Sequence, residues 1–493
     1  MAFRISDLYL LAPELTLVLL GLAVMMLSLF VKQRLVIAGT ALIGLAIPAA
    51  FTIALIVAPP DHNRAFFNML VVDGYALFFK VIFLLIAAVM ILASYDYIGK
   101  YVKEDGEFYT LLLLSTCGMM LMASTAELLT IYISLELASF PLYVMAGLLR
   151  FDKKSAEAAV KYVLLGAMSS AVLLYGFALL YGLTGTTDLQ GIATTFKASL
   201  SNGNVMVLIA DLLIIAGFGF KISAVPFHMW APDIYEGAPT PSTAFFSVGS
   251  KAAGFAALIR VFTYGGLGQV DLGSLVTMLW IVAILTMTLG NVVAAVQANV
   301  KRMMAYSSIS QAGYILVGFI ASLASGKPDG NSAVLFFLLV YVITNLGAFS
   351  GIIALANMTG GEKIADFRGL WRRAPLLSAG TAFCMLSLAG IPPTAGFFSK
   401  VILFSAAWSL GQQWLVVIAL LNTVVSLVYY GRVIKAMFFD APVKAGRLTT
   451  SLSLGTSLAF ASAALLVLFV IVQLVLNAAF PAASSLLVMI GGK

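Results

Sequence analysis

The chain has 493 residues, 62% of them hydrophobic and 10% charged, with a mean hydropathy of +1.05. So little charge cannot cover so much apolar surface in water, which excludes a soluble globular domain, and the apolar runs are continuous rather than alternating, which argues against a transmembrane β-barrel. The net charge of +7 comes from basic residues scattered through short connections, the pattern of membrane topology rather than of a nucleic-acid surface.

A spanning helix takes roughly 20 apolar residues. On that measure the chain reads as fourteen spans, near 8–31, 35–57, 74–95, 108–125, 128–149, 158–184, 205–225, 240–263, 272–296, 303–322, 332–356, 376–408, 414–437 and 453–479. The first run contains Pro13 and Glu14 and reads as a retained helix, not a cleavable signal peptide. Two spans are interrupted. The seventh runs through GFGFKISAVPF, where Gly217, Gly219 and Pro226 weaken the helix around Lys221, and the twelfth through GIPPTAGFFSK, which leads into Lys400. A shift of five helices reverses direction through the membrane. Spans 4–8 and 9–13 therefore read as inverted repeats, with broken helices 7 and 12 in matching places. The expected fold is an all-α polytopic membrane protein forming a single membrane domain over 1–493. It divides into helices 1–3 (1–107), a first repeat (108–263), a second repeat (272–437) and helix 14 (453–479).

The basic residues test this count. Of the 28 Lys and Arg residues, seventeen fall in the connections after odd-numbered spans and six on the other side. That bias places the seventeen in the cytoplasm and both termini on the non-cytoplasmic side. Glu14 and Glu127, near span ends, read as solvated, and Arg260 counts among the six basic residues of the non-cytoplasmic connections. Five lysines remain within or beside spans: Lys80, Lys161, Lys221, Lys251 and Lys400. Glu136 lies inside the fifth span, in IYISLELASF. A charge at bilayer depth costs several kcal/mol and usually faces the bundle interior, where it carries function or holds helices together as a buried pair. Lysine suits proton transfer, because burial brings its proton affinity toward neutrality while arginine stays charged. Lys80 could snorkel or pair with nearby Asp73, and Lys161, one turn inside span 6, could also snorkel. His228, just after the break in VPFHMWAPD, could relay protons or serve only as a hydrogen-bonding group. Cys117 and Cys384 lie in apolar runs without CxxC spacing and read as packing residues. No phosphate loop, dinucleotide fingerprint or Cys/His cluster is present, so no nucleotide, haem, iron–sulfur or zinc site is expected in this chain.

Several segments carry a family resemblance. These are AAVKYVLLGAMSSAVLLYGFALLYGLTG (158–185), FGFKISAVPFHMWAPDIYEGAPTPSTAFFSVGSKAAGF (218–255), KRMMAYSSISQAGY (301–314) and LAGIPPTAGFFSK (388–400), joined by DGYALFFK (73–80) and ISLELASFPLY (133–143). They resemble the antiporter-like membrane subunits of respiratory complex I, of the subunit N (chain 2) type. The resemblance implies fourteen helices with broken helices 7 and 12. It implies proton-translocating roles for Glu136, Lys221, Lys251 and Lys400, with Lys161 and His228 as accessory candidates. Gln311 stands where many relatives carry histidine, a feature shared with the photosynthetic form of the complex, so the electron donor stays open between NADH and ferredoxin. The resemblance further implies other membrane subunits as partners, among them the other antiporter-like ones. FMN and iron–sulfur clusters are expected in partner subunits, none in this chain, with quinone as substrate of the complex and the cell membrane, ahead of the thylakoid membrane, as its location. The competing readings are a subunit of a multisubunit cation/proton antiporter and a membrane scaffold in which none of the lysines matters.

Overall fold

A computed structural model describes residues 5–60, 62–102, 105–199, 205–267, 272–442, 446 and 449–491. Arg4, Lys103, Lys444, Arg447 and Lys493, used in the topology count, lie outside these residues, as does the side chain of Lys197.

The first expected span is a short helix α1 (Ile5–Leu10) followed by α2 (Ala12–Phe30), and the second is bent at Leu45 into α3 (Arg34–Gly44) and α4 (Ala46–Val57). A two-residue hairpin follows, β1 (Arg64–Ala65) antiparallel to β2 (Leu70–Val71), with Arg64 opposite Val71. Then come α5 (Gly74–Tyr101), α6 (Asp105–Ser124), α7 (Leu128–Ala146) and α8 (Lys153–Thr184). A short α9 (Leu189–Ser199) crosses to the seventh span, which is broken into α10 (Val205–Ile222) and α11 (Trp230–Gly237). The eighth is α12 (Thr240–Tyr264), α-helical except for π-turns at Phe246–Ser250 and Arg260–Tyr264. The second repeat follows as α13 (Leu272–Val296), α14 (Val300–Ser325), α15 (Asp329–Thr359), a twelfth span broken into α16 (Pro375–Ala389) and α17 (Ala395–Ser409), and α18 (Gln413–Phe438). The chain closes with α19 (Leu452–Val470) and α20 (Val472–Gly491).

Thirteen of the fourteen expected spans are single helices, or bent ones, long and apolar enough to cross a membrane. The twelfth is two shorter apolar helices, as its Gly390–Pro392–Pro393 run predicts. The protein is therefore a multi-pass membrane protein. Two boundaries and one added element differ from expectation. The seventh span does not end near 225: after the break it resumes as α11, whose Pro232 sits in the first turn, where a missing N–H is tolerated. The fourteenth ends at Val470, and the residues expected to finish it start a separate helix, α20, packed against α5 and α15. The hairpin was not foreseen at all.

Packing sorts the helices. α12 is buried along its whole length, and α14 and α15 nearly so, whereas α2, α8, α13, α18 and α19 present apolar faces outward. The middle of the bundle is thus built from α12, α14, α15 and the two broken spans.

Candidate functional site

Three of the expected lysines converge on that middle. Lys221 ends α10, at the break, and is 4% exposed; Lys251 follows the first π-turn of α12 and is 1% exposed; Lys400 lies in the first turns of α17 and is 5% exposed. Their partners are neutral. Lys221 Nζ donates to Ser139 Oγ on α7 at 2.6 Å. Lys251 Nζ donates to the Ser308 carbonyl at 2.5 Å and to Ser308 Oγ at 2.8 Å, both on α14. Lys400 Nζ donates to the Leu388 and Ala389 carbonyls, each at 3.0 Å, and lies 5.3 Å from the centroid of the Tyr314 ring. The two carbonyls are free to accept because α16 ends there, leaving its last C=O groups without intrahelical donors. The broken span thus supplies the ammonium's cradle.

The Lys251 and Lys400 sites are joined by polar groups on α14. Gln311, one turn beyond Ser308, donates from Nε2 to the same Leu388 carbonyl at 3.3 Å. Gln311 and Lys400 also line a cavity of about 10 Å³ with Tyr341, Thr344 and Ser387, close to the minimum size for one water. The glutamine therefore occupies the middle of the line from Lys251 to Lys400. Two glycines make room for the lysine stems. A Cβ on Gly254 would stand 3.2 Å from Lys221 Cγ, so the Lys221 stem lies against α12 one turn from Lys251. A Cβ on Gly390 would stand 2.8 Å from Lys400 Cδ, and its φ of +81° already favours glycine.

The remaining expected residues fall elsewhere. Glu136 is half-buried on α7, one turn before Ser139, and no ion pair within 4.0 Å joins it to Lys221. The α7 group that Lys221 contacts is Ser139. Lys161 is not on the buried line: its side chain is 41% exposed and pairs with Glu157 at 2.7 Å and Asp233 at 2.9 Å. Arg302 joins the same cluster through Asp233 at 2.8 Å and Glu236 at 3.2 Å, and Lys154 through Glu236 at 3.0 Å. His228 is half-buried on the outer side of the seventh-span break, between the exposed Phe227 and Met229.

Several charges have roles that the sequence reading misplaced. Lys80 is fully buried and pairs with Glu14 at 2.8 Å, so Glu14 is not solvated and Asp73 is not the lysine's partner. Asp73 instead receives both guanidinium nitrogens of Arg260, at 2.8 and 2.9 Å, with the arginine fully buried although it was assigned to a connection. Glu127 caps α7, accepting from Thr130 N at 2.6 Å, and is 8% exposed rather than solvated. Lys301 is buried with Glu362 at 2.8 Å. For Glu14, Lys80, Asp73, Arg260 and Lys301 the missing signal is a partner distant in sequence, whereas the cap at Glu127 is local. Cys117 and Cys384 are free and buried, and among the described residues no group of three His, Cys, Asp or Glu is placed to hold a metal ion.

Residues 125–426 match the family described as NADH:quinone oxidoreductase/Mrp antiporter, transmembrane. A relative from Trichlorobacter lovleyi, named NADH-quinone oxidoreductase subunit N, is 46% identical over 441 residues, 89% of this chain and 88% of that protein. Among solved structures, a chain of respiratory complex I from Thermus thermophilus with bound aureothin is 32% identical, with a TM-score of 0.78 over 94% of this chain and 98% of that one. A chain of the Mrp complex from Dietzia sp. is 22% identical over 96% of this chain and 97% of that one; its TM-score of 0.84 reflects a shared fold. The matched length and the identity to subunit N place the chain in one family: it belongs to the NADH:quinone oxidoreductase/Mrp antiporter transmembrane family, as a membrane subunit of the subunit N type.

Proposed function

We propose that this chain moves protons across the membrane through Lys221, Lys251 and Lys400, with Glu136 biasing the first of them, and that quinone reduction in partner subunits drives the cycle. The observation that carries this reading is the contrast between two kinds of buried cation. Lys80, Arg260 and Lys301 each have a carboxylate within 2.8 Å. Among the described residues, Lys221, Lys251 and Lys400 have only hydroxyl and carbonyl oxygens as hydrogen-bond partners. A lysine paired with a buried carboxylate cannot lose its proton without stranding that anion, which costs several kcal/mol. A lysine held by neutral oxygens has no such constraint. Approach or retreat of the Glu136 carboxylate would favour loading or release at Lys221, and Ser308 and Gln311 mark the path from Lys251 to Lys400. Lys161 and His228, both off this line, fit accessory roles at most.

The chain works as one membrane domain of two five-helix repeats. FMN and iron–sulfur clusters belong in partner subunits, as does the quinone site. The distribution of basic residues, seventeen to five once the buried Arg260 is set aside, supports an orientation with both termini on the non-cytoplasmic side. The test is to replace Lys221 or Lys400 with Met and measure protons pumped per electron in assembled complex. Each variant is expected to lower that ratio; an unchanged ratio for both sinks the assignment.

A further inference from the structure

The proposed line of lysines needs a way in from the charged cluster, and the structure shows what stands between. Lys154, Glu157, Lys161, Asp233, Glu236 and Arg302 line a solvent-open cavity of about 160 Å³. It lies where α8 and α14 begin and α11 ends. Directly inward of Lys161 and Asp233 lie Tyr162 and Trp230, 1% and 3% exposed. Their rings stack, with centroids 4.9 Å apart and planes 8° from parallel. Around this stack sit four more rings, among them Tyr235, 6.2 Å from Trp230. Tyr143 is 4.8 Å from Tyr162, Phe246 is 5.6 Å from Tyr162, and Phe220 is 5.1 Å from Trp230.

Each of these rings touches the lysine line at a different point. Phe220 immediately precedes Lys221. Tyr143 lies one turn beyond Ser139, the partner of Lys221. Phe246 opens the π-turn that leads into Lys251. Trp230 also closes the break in the seventh span: its Nε1 donates to the Phe220 carbonyl at 2.8 Å, tying the first turn of α11 to the last turn of α10. Packed rings keep water out of the section, as in apolar constrictions that gate by excluding water, while two tyrosine hydroxyls there face the lysines' own partners, Tyr143 toward Ser139 and Tyr235 toward Ser308.

We propose that Trp230 is a stopper: stacked on Tyr162 and held to the Phe220 carbonyl, it keeps water in the charged cavity from reaching Lys221 and Lys251, and its release opens that path. The inference rests on the proton-conducting reading of the lysines. Trp230 is a positioning residue, acting on the path and on the last turn of α10, without carrying a proton.

The experiment uses the purified whole complex in proteoliposomes. Passive proton flux is measured with no electron donor present, and pumping per electron with one. Trp230→Ala is expected to raise passive flux several-fold over wild type, and adding Lys221→Met is expected to return it to the wild-type level. Trp230→Phe keeps a ring but loses the Nε1 donor. It is expected to raise passive flux to a lesser degree and lower pumping per electron while quinone reduction continues. Fully assembled Trp230→Ala complex with wild-type passive flux overturns the proposal. So does a leak that persists undiminished in the double variant, since it bypasses Lys221. Should Trp230→Ala fail to assemble, Trp230→Phe with wild-type flux and wild-type pumping overturns it. The two readings fail separately: normal pumping by both lysine variants, Lys221→Met and Lys400→Met, sinks the lysine line itself, whereas defective pumping there with no leak at Trp230 sinks only the stopper.

Discussion

The Glu14–Lys80 pair separates structural from functional charge. It joins α2 to α5 at 2.8 Å, with side chains 2% and 0% exposed, and neither carboxylate oxygen of Glu14 has another hydrogen-bond partner. Lys80→Met preserves most of the stem's volume and leaves the carboxylate buried alone. Removing one partner of a buried pair costs about 3–5 kcal/mol, which is roughly two to nearly four decades in the folded-to-unfolded ratio. An average interhelical hydrogen bond in a membrane protein is worth only about 0.6 kcal/mol, so the loss stands well clear of ordinary packing changes. Glu14→Leu strands the ammonium instead and is expected to cost as much. Glu14→Leu with Lys80→Met removes both charges, and replacing a buried pair by apolar groups is often neutral or stabilising. The double variant should therefore recover most of the combined loss. The assay is the thermal midpoint of purified complex, together with the amount assembled in membranes. Pumping per electron in whatever complex assembles should equal wild type in all three variants. A Lys80→Met complex of wild-type stability, or a double variant as unstable as the two single losses added, would refute the reasoning. Lowered pumping in the double variant would show that this pair belongs to the proton path after all.

Two further expectations follow from local geometry. Gly254→Ala would place a Cβ 2.9 Å from Ile222 Cγ2 and 3.2 Å from Lys221 Cγ, so the last turn of α10 must shift; pumping per electron should fall while quinone reduction persists, and unchanged pumping would show that the approach of α10 to α12 is not critical. Burial works against ionisation of the Glu127 carboxyl, but hydrogen bonds from Thr130 and Thr187 hold it below the usual carboxylate range. A depressed carboxyl stabilises the folded chain above its unfolded value and loses that contribution as pH falls through the folded one. Glu127→Gln should therefore lower the thermal midpoint by the equivalent of about 1 kcal/mol, by the same amount from pH 8 to 5, with the gap to wild type closing only below about pH 4. A gap that widens on acidification would contradict the cap's assignment.

The sequence shows most clearly what is local. Apolar runs mark the spans, and Gly390, Pro392 and Pro393 mark the twelfth-span break, because hydropathy and backbone disruption are properties of adjacent residues. The seventh-span break is marked at its start by Pro226, but its continuation is hidden, since Pro232 in WAPDIYEG looks like a loop residue although a helix tolerates proline in its first turn. The end of the fourteenth span has no marker, for no glycine or proline stands at Ile471 and Pro481 lies inside α20. Arg260 was assigned to a connection because it stands near the end of an apolar run; the π-turn at Arg260–Tyr264 carries the helix onward and turns the side chain inward to Asp73.

Local pattern supplies only part of the division among the five lysines. Position near a span end marks Lys80 and Lys161 as able to snorkel, but hydropathy names no partner for any of Lys80, Lys161, Lys221, Lys251 and Lys400. Tertiary pairing then separates them. Lys80 meets Glu14 from a helix 66 positions earlier, and Lys161 meets Asp233 72 positions later, at the surface. The other three meet only neutral oxygens, two of them on α14, whose Ser308 and Gln311 read as ordinary polar residues in KRMMAYSSISQAGY. On the proposed function, what fits these three lysines for proton transfer is that, among the described residues, no carboxylate lies within 4.0 Å of their ammonium groups. That is a statement about every helix packed around them, so it becomes visible only when the bundle is assembled.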